Sequence, residues 1–223
     1  MKTKFLAIQS TYTHVQMGIF DEDGIIADQT IDKLLASQQS ILVLEQLLNK
    51  AQCSFQQLSF IAVNQGPGPF TTLRVVISII NGLSFASKIP LIGINGIHAF
   101  LEEYASESFT HKMVLLNAFA TDFYYGIQHT ISPIASGYGN ISFIITTLKE
   151  KINNDKILCL GNGVLLCKDI LVKAFGHNIE FLDPNPEMVS LNHIAYLGLK
   201  EWHKQENISY QLQPLYYKPA LLK

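Results

Sequence analysis

The chain has 223 residues, 48% hydrophobic and 15% charged, with a formal net charge of -2. That length allows one large domain or two small ones, and the balance suits a folded core while excluding a disordered chain and a basic surface that grips nucleic acid unaided. Cys53, Cys159 and Cys167 form no C-x-x-C and no even framework, so all three are expected as reduced thiols in a cytoplasmic protein.

The opening MKTKFLAIQSTYTHV lacks the apolar run of a signal peptide. Phe5–Gln9, Val15–Phe20 and Ile25–Thr30 read as three strands, the last two joined at Asp21–Gly24, whose Asp-Gly pair suits a tight turn. Ser37–Ala51 changes to helical spacing, with Ser37 as N-cap and Ile41, Leu44 and Leu48 on one face. Leu58–Asn64 reads as a strand, Phe70–Ala86 as a helix and Ile89–Ile94 as a buried strand, giving βββαβαβ.

From Lys112 the pattern restarts. Lys112–Ala118, Phe123–Ile131 and Ile141–Ile145 read as strands, followed by a helix over Leu148–Ile152 and a strand over Lys156–Gly161. The turn Gly161-Asn162-Gly163 then leads into a helix over Val164–Phe175, and Glu187–Lys204 forms a last amphipathic helix with Ile194, Leu197 and Trp202 near one face. The polar stretch Glu102–His111 is the expected boundary, so the lobes are residues 1–107 and 108–223, each an α/β meander with helices.

The segment NQGPGPFTTLRVVISIINGLSFA, Asn64–Ala86, holds the densest chemistry. Its glycines permit close backbone approach and Pro69 suits a first helical turn, the ingredients of an anion cradle. A P-loop also needs a lysine, and none lies between Lys50 and Lys88; Pro67 and Pro69 remove donors that a pyrophosphate would use. The stretch is therefore a turn that places the following helix. On that helix Leu73, Val76, Ile77, Ile80 and Leu83 form a face for the lobe's own sheet. Val75, Ile79, Gly82 and Ala86 form a second face, which with Val43 and Leu47 of the preceding helix is the expected partner interface. The longest apolar run, Leu73–Ala86, is broken by Arg74, Ser78, Asn81 and Ser84, so no membrane span is expected.

The seven histidines never fall as H-E-x-x-H or H-x-x-x-H, so no metal-binding helix is expected, and no G-x-S-x-G is present. Tyr124, Tyr125, Tyr216 and Tyr217 read as alternating core and surface residues rather than as a base-stacking platform.

The stretch GPGPFTTLR, with Gly66, Pro67, Gly68, Phe70, Thr71 and Arg74, resembles the G-P-G-x-F-T-x-L-R signature of the TsaB (YeaZ) family of tRNA threonylcarbamoyladenosine biosynthesis proteins. FLAIQSTYTHVQMGIF, LLNAFATDFYYGIQH, LGNGV and the tail QPLYYKPA are similar to further landmarks of that family, with Lys218 where arginine is usual. The resemblance implies the two-lobed fold of the actin, sugar-kinase and Hsp70 superfamily. It implies a non-catalytic subunit that pairs with a TsaD-type paralogue, is joined by a TsaE-type ATPase, meets tRNA only through the complex and self-associates when alone. Active superfamily members hold Mg-ATP with acidic residues after the first strand of each lobe; here those positions are Gln9 and Asn117, so no cofactor is expected. The absence of the H-x-x-x-H motif of TsaD points the same way. The competing reading is a small-molecule kinase or ATPase of the same superfamily.

Overall fold

Every residue of β1 (Phe5–Ser10) is buried, with Leu6 and Ile8 on one face and Phe5 and Ala7 on the other, as a strand covered on both sides requires. The computed structural model describes residues 2–105, 109–129, 133–150 and 155–217. β1 pairs antiparallel with β2 (His14–Asp21), which turns directly into β3 (Gly24–Asp32), Asp21 opposite Gly24. Then come α1 (Ala36–Lys50), β4 (Ile61–Asn64), α2 (Phe70–Ser87) and β5 (Leu91–Ile94), with β4 parallel to both β1 and β5.

Helices α1 and α2 cover one face of this sheet. Leu6, Ile8, Val15 and Val63 meet Leu44, Leu47, Val76 and Ile80 in the core. The other face carries α6 (Leu191–Lys204), capped by the Ser190 hydroxyl on the His193 N–H at 3.1 Å. Gly198 of α6 passes so close that a Cβ there would lie 2.4 Å from the Ala62 Cβ, and Trp202 stacks on Phe60 at 5.1 Å. After α6, the short strand Ile208–Ser209 adds to the β5 edge.

The second unit repeats the winding. β6 (His111–Asn117), β7 (Asp122–His129) and β8 (Ala135–Asn140) form the meander; α4 (Ile141–Lys149), β9 (Ile157–Leu160), α5 (Val164–Phe175) and β10 (Ile179–Phe181) follow. Its sheet order, β10-β9-β6-β7-β8, matches β5-β4-β1-β2-β3 of the first unit.

The two compact units are Met1–Gly96 with Ser190–Leu215, and Ile97–Val189 with the tail from Tyr216. The single cut at 107/108 read from the sequence differs, because the chain returns: α6 buries Ile194 and Leu197 against the first sheet. α3 (Gly96–Glu103), at the junction, has no counterpart in the sequence reading.

Two further expectations are corrected. α1 starts at Ala36 behind Leu35 with no side-chain cap, so Ser37 is not its N-cap. The sheet selects a neighbouring stripe, burying Ser40, Val43, Leu44, Leu47 and Leu48 and leaving Ile41 54% exposed; the Ser40 hydroxyl is satisfied by the Ala36 carbonyl at 2.6 Å. Ile141–Ile145 is helix rather than strand, because the Asn140 side chain accepts the Phe143 N–H at 2.9 Å and starts α4 there. The third strand of this meander is the glycine-bearing β8, and Lys151 to Asn154 lie outside the described residues.

Candidate functional site

The signature loop is built from the backbone outward. Gly66 sits at φ +101°, where a Cβ would meet Leu73 Cδ2 at 2.7 Å, so a glycine is required. Its N–H donates to Asn64 Oδ1 at 2.9 Å and its carbonyl accepts from Gly96 at 2.8 Å. Pro69 occupies the N-cap and its carbonyl accepts the Leu73 N–H at 2.9 Å, the first turn of α2. Gly66, Pro67 and Gly68 are buried, while Phe70, Thr71 and Arg74 face outward. The Arg74 guanidinium lies over the Phe70 ring, 4.6 Å from its centroid, four residues back along the helix.

The chain's tail braces this loop. Gln65 Nε2 donates to the Gln213 carbonyl at 2.9 Å and its own carbonyl accepts from Leu215 at 2.8 Å. Asn81 of α2 exchanges two 2.9 Å bonds with the Leu212 backbone. The QPLYYKPA landmark thus begins, at Gln213, as a strap on the loop ahead of α2, while Lys218 lies outside the described residues.

α2 has two faces. Leu73, Val76, Ile77 and Ile80 are buried against the sheet; Leu83 is half-buried against the same core, and so is Val75, which was expected on the second face, while Ile79 is half-buried. Gly82 and Ala86 are exposed, and so is Phe85, at 77%. Val43 and Leu47, expected beside them, are 4% and 0% exposed and belong to the core, so they offer nothing to a partner. α1 instead presents Ile41 and Leu42, and Ser37 lines a groove with Phe70, Arg74, Val75, Ser78 and Ile79. By length and composition α2 would pass for a membrane span. Its inner stripe packs on the sheet, and Asn81 and Ser84 bond the tail, a role that suits a surface helix rather than a lipid-facing one.

Gln9 is wholly buried in a chain of amides: its Nε2 donates to Gln16 Oε1 at 2.7 Å and its Oε1 accepts from Asn64 Nδ2 at 3.1 Å. Asn64 in turn holds Gly66, so Gln9 supports the signature loop. Asn117 Oδ1 accepts the Phe119 N–H at 2.7 Å, and the Asn117 N–H donates to Asn162 Oδ1 at 3.0 Å. The sequence gives these roles no signal: Gln16 meets Gln9 across the β1–β2 hairpin, and Asn64 and Asn162 reach residues 55 and 45 positions away.

Burial pushes the Cys167 thiol up to about 11 and Cys159 well above its ordinary value, which keeps both protonated and unreactive at neutral pH. Tyr124 and Tyr125 are buried and Tyr216 is exposed. The missed cluster is His111, His129 and Asp155, gathered by strand pairing that no helix-spacing motif registers.

Duplicated meanders with this sheet order define the actin, sugar-kinase and Hsp70 class of fold. A Pseudomonas aeruginosa protein described as similar to the peptidase YeaZ superimposes with TM-score 0.75 at 17% identity, over 97% of this chain and 100% of that one. YeaZ from the same organism gives 0.70 at 16%, over 96% and 99%. In sequence, the model of the family TsaD, tRNA N6-adenosine threonylcarbamoyltransferase, matches residues 35–199. The tRNA threonylcarbamoyladenosine biosynthesis protein TsaB of Buchnera aphidicola from Schizaphis graminum is 27% identical over 56% of this chain and 60% of its own length. The tRNA N6-adenosine threonylcarbamoyltransferase of onion yellows phytoplasma is 31% identical over 71% of this chain and 67% of its own. The chain belongs to this family and stands with its TsaB/YeaZ members. It spans a little over half the length of the first curated relatives it matches, 60% and 52%.

Proposed function

We propose that the chain is a non-catalytic scaffold subunit in the biosynthesis of threonylcarbamoyladenosine in tRNA, working as a heterodimer with a TsaD-type paralogue. The observation that carries this reading is the outer face of α2, where Phe70, Ile79, Gly82, Phe85 and Ala86 leave apolar or small side chains exposed or half-buried. Arg74 is the one charge on that helix. A solvated helix gains nothing from such a face, whereas a second helix packs closely against small residues and buries the aromatic rings. Several hundred Å² covered there is worth several kcal/mol at about 25 cal/mol per Å², before the costs of association.

In this reading the rigid turn sets the angle of α2, and the amides at Gln9 and Asn117 serve structure rather than magnesium. tRNA and a TsaE-type ATPase join through the complex, and the same face self-associates when the partner is missing. The test is co-expression with the TsaD-type protein of the same genome: the wild-type chain co-purifies with it and Ile79→Arg does not, with the melt within a few degrees. Retention of the partner by Ile79→Arg refutes this interface.

The kinase or ATPase reading rests on the fold class, and titration with Mg-ATP separates the two. The isolated chain is expected to bind it with a Kd above about 0.1 mM, about -5.5 kcal/mol; micromolar binding with phosphate release favours the enzyme.

A further inference from the structure

The start of the second meander gathers a buried histidine and two further polar side chains about one point. His111 and His129 are directly opposite in the β6–β7 register, with ring centroids 4.7 Å apart and planes at 64°. The His111 side chain is 1% exposed, and its Nε2 lies 3.2 Å from Oδ2 of Asp155, which sits just ahead of β9. Its Nδ1 is buried with no hydrogen-bond partner among the described residues. Burying an imidazole with that nitrogen unpaired costs the hydration of the atom, while Nε2, which faces Asp155, is the nitrogen placed to act as a ligand. The same face of β6 continues into Met113 and Leu115 of the apolar core, where an aliphatic residue would serve packing better.

One ligand atom from each of His111, His129 and Asp155 lies within 4.8 Å of the other two. Two imidazoles and one carboxylate are the donor set of a borderline cation: magnesium and calcium favour oxygen shells, and copper(I) favours sulfur. A tetrahedral zinc ion with bonds of about 2.0–2.2 Å places its donors about 3.3 Å apart. Asp155, with its side chain 42% exposed, and His129, which is half-buried, have room to close that distance onto the fixed His111. We propose that His111, His129 and Asp155 bind a zinc-class divalent ion, with water in the fourth position. The ion clips β6 and β7 to the segment entering β9, pinning the edge at which this meander begins. The site lies wholly within the second unit and is independent of the α2 face.

The test uses the untagged chain, stripped with EDTA, titrated with Zn2+ against a chromophoric chelator and with Co2+ followed in the visible. The wild type takes up one Zn2+ per chain, melts several degrees higher with it, and gives a Co2+ d–d band of four-coordinate intensity. His111 is buried, so the variants are His129→Gln and Asp155→Asn, which keep size and hydrogen bonding. Each should weaken Zn2+ binding by more than about a hundredfold, above the usual effect of losing an outer partner of a ligand. His177→Gln, at an exposed residue of the same unit, should change nothing. No stoichiometric uptake, or uptake that both variants leave intact, or an equal loss with His177→Gln, overturns the proposal.

Discussion

The two units wind five strands in the same order and turn from strand to helix in the same way, yet their helices α2 and α5 meet solvent differently. Each turn places a glycine at positive φ, Gly66 at +101° and Gly161 at +100°, and each leads into a long helix behind a parallel strand. α5 also exposes large apolar side chains, Leu165, Leu166 and Ile170, but intersperses Lys168, Asp169 and Lys173 among them. α2 carries a single charge in eighteen residues. Apolar exposure alone is ordinary on a protein surface; what separates the helices is the charge between the apolar residues, which keeps one solvated and leaves the other suited to a partner.

The comparison breaks most visibly in the core beneath α2. Leu47→Ala should cost about 2–5 kcal/mol in urea unfolding, because a fully buried side chain leaves a cavity; a cost under about 1 kcal/mol would put Leu47 back on the surface. The second unit offers a pH test. Cys167, held near 11, keeps its proton in the fold while the unfolded chain releases it near 9, so the native state binds more protons between those values. Its contribution is complete below about pH 9 and lost as pH rises to about 11. Cys167→Ala should therefore flatten the fall in stability measured between pH 9 and 10.5, and an unchanged slope contradicts the assignment.

Gly66→Ala sharpens the likeness of the turns. It meets both the φ of +101° and the Leu73 side chain, so a loss of about 1–3 kcal/mol in thermal melts is expected. Arg74→Lys is the smallest change. Arg74 is exposed and stacked only on Phe70 among the contacts described, so stability should move by less than about 0.5 kcal/mol.

The inner face of α2 was legible in the sequence and that of α1 was not, for one physical reason. On α2 the large residues Leu73, Val76, Ile77 and Ile80 and the small residues Gly82 and Ala86 fall on separate stripes, so spacing decides the faces. On α1 four consecutive apolar residues, Ile41 to Leu44, satisfy helical spacing on adjacent stripes, and only the sheet chooses the one with Val43. Ile141–Ile145 fails likewise, since its run suits strand or helix until the Asn140 cap decides. His111 and His129 are out of reach for any local motif, because eighteen residues separate them and strand register brings them together.

The most direct measurement is reconstituted threonylcarbamoyl transfer to tRNA by the TsaD-type paralogue, supplied in turn with the wild-type chain, Ile79→Arg and Leu166→Arg. Full transfer is expected with the wild type and with Leu166→Arg, and loss of transfer with Ile79→Arg. Loss with Leu166→Arg alone, or transfer sustained by Ile79→Arg, would contradict the proposed interface.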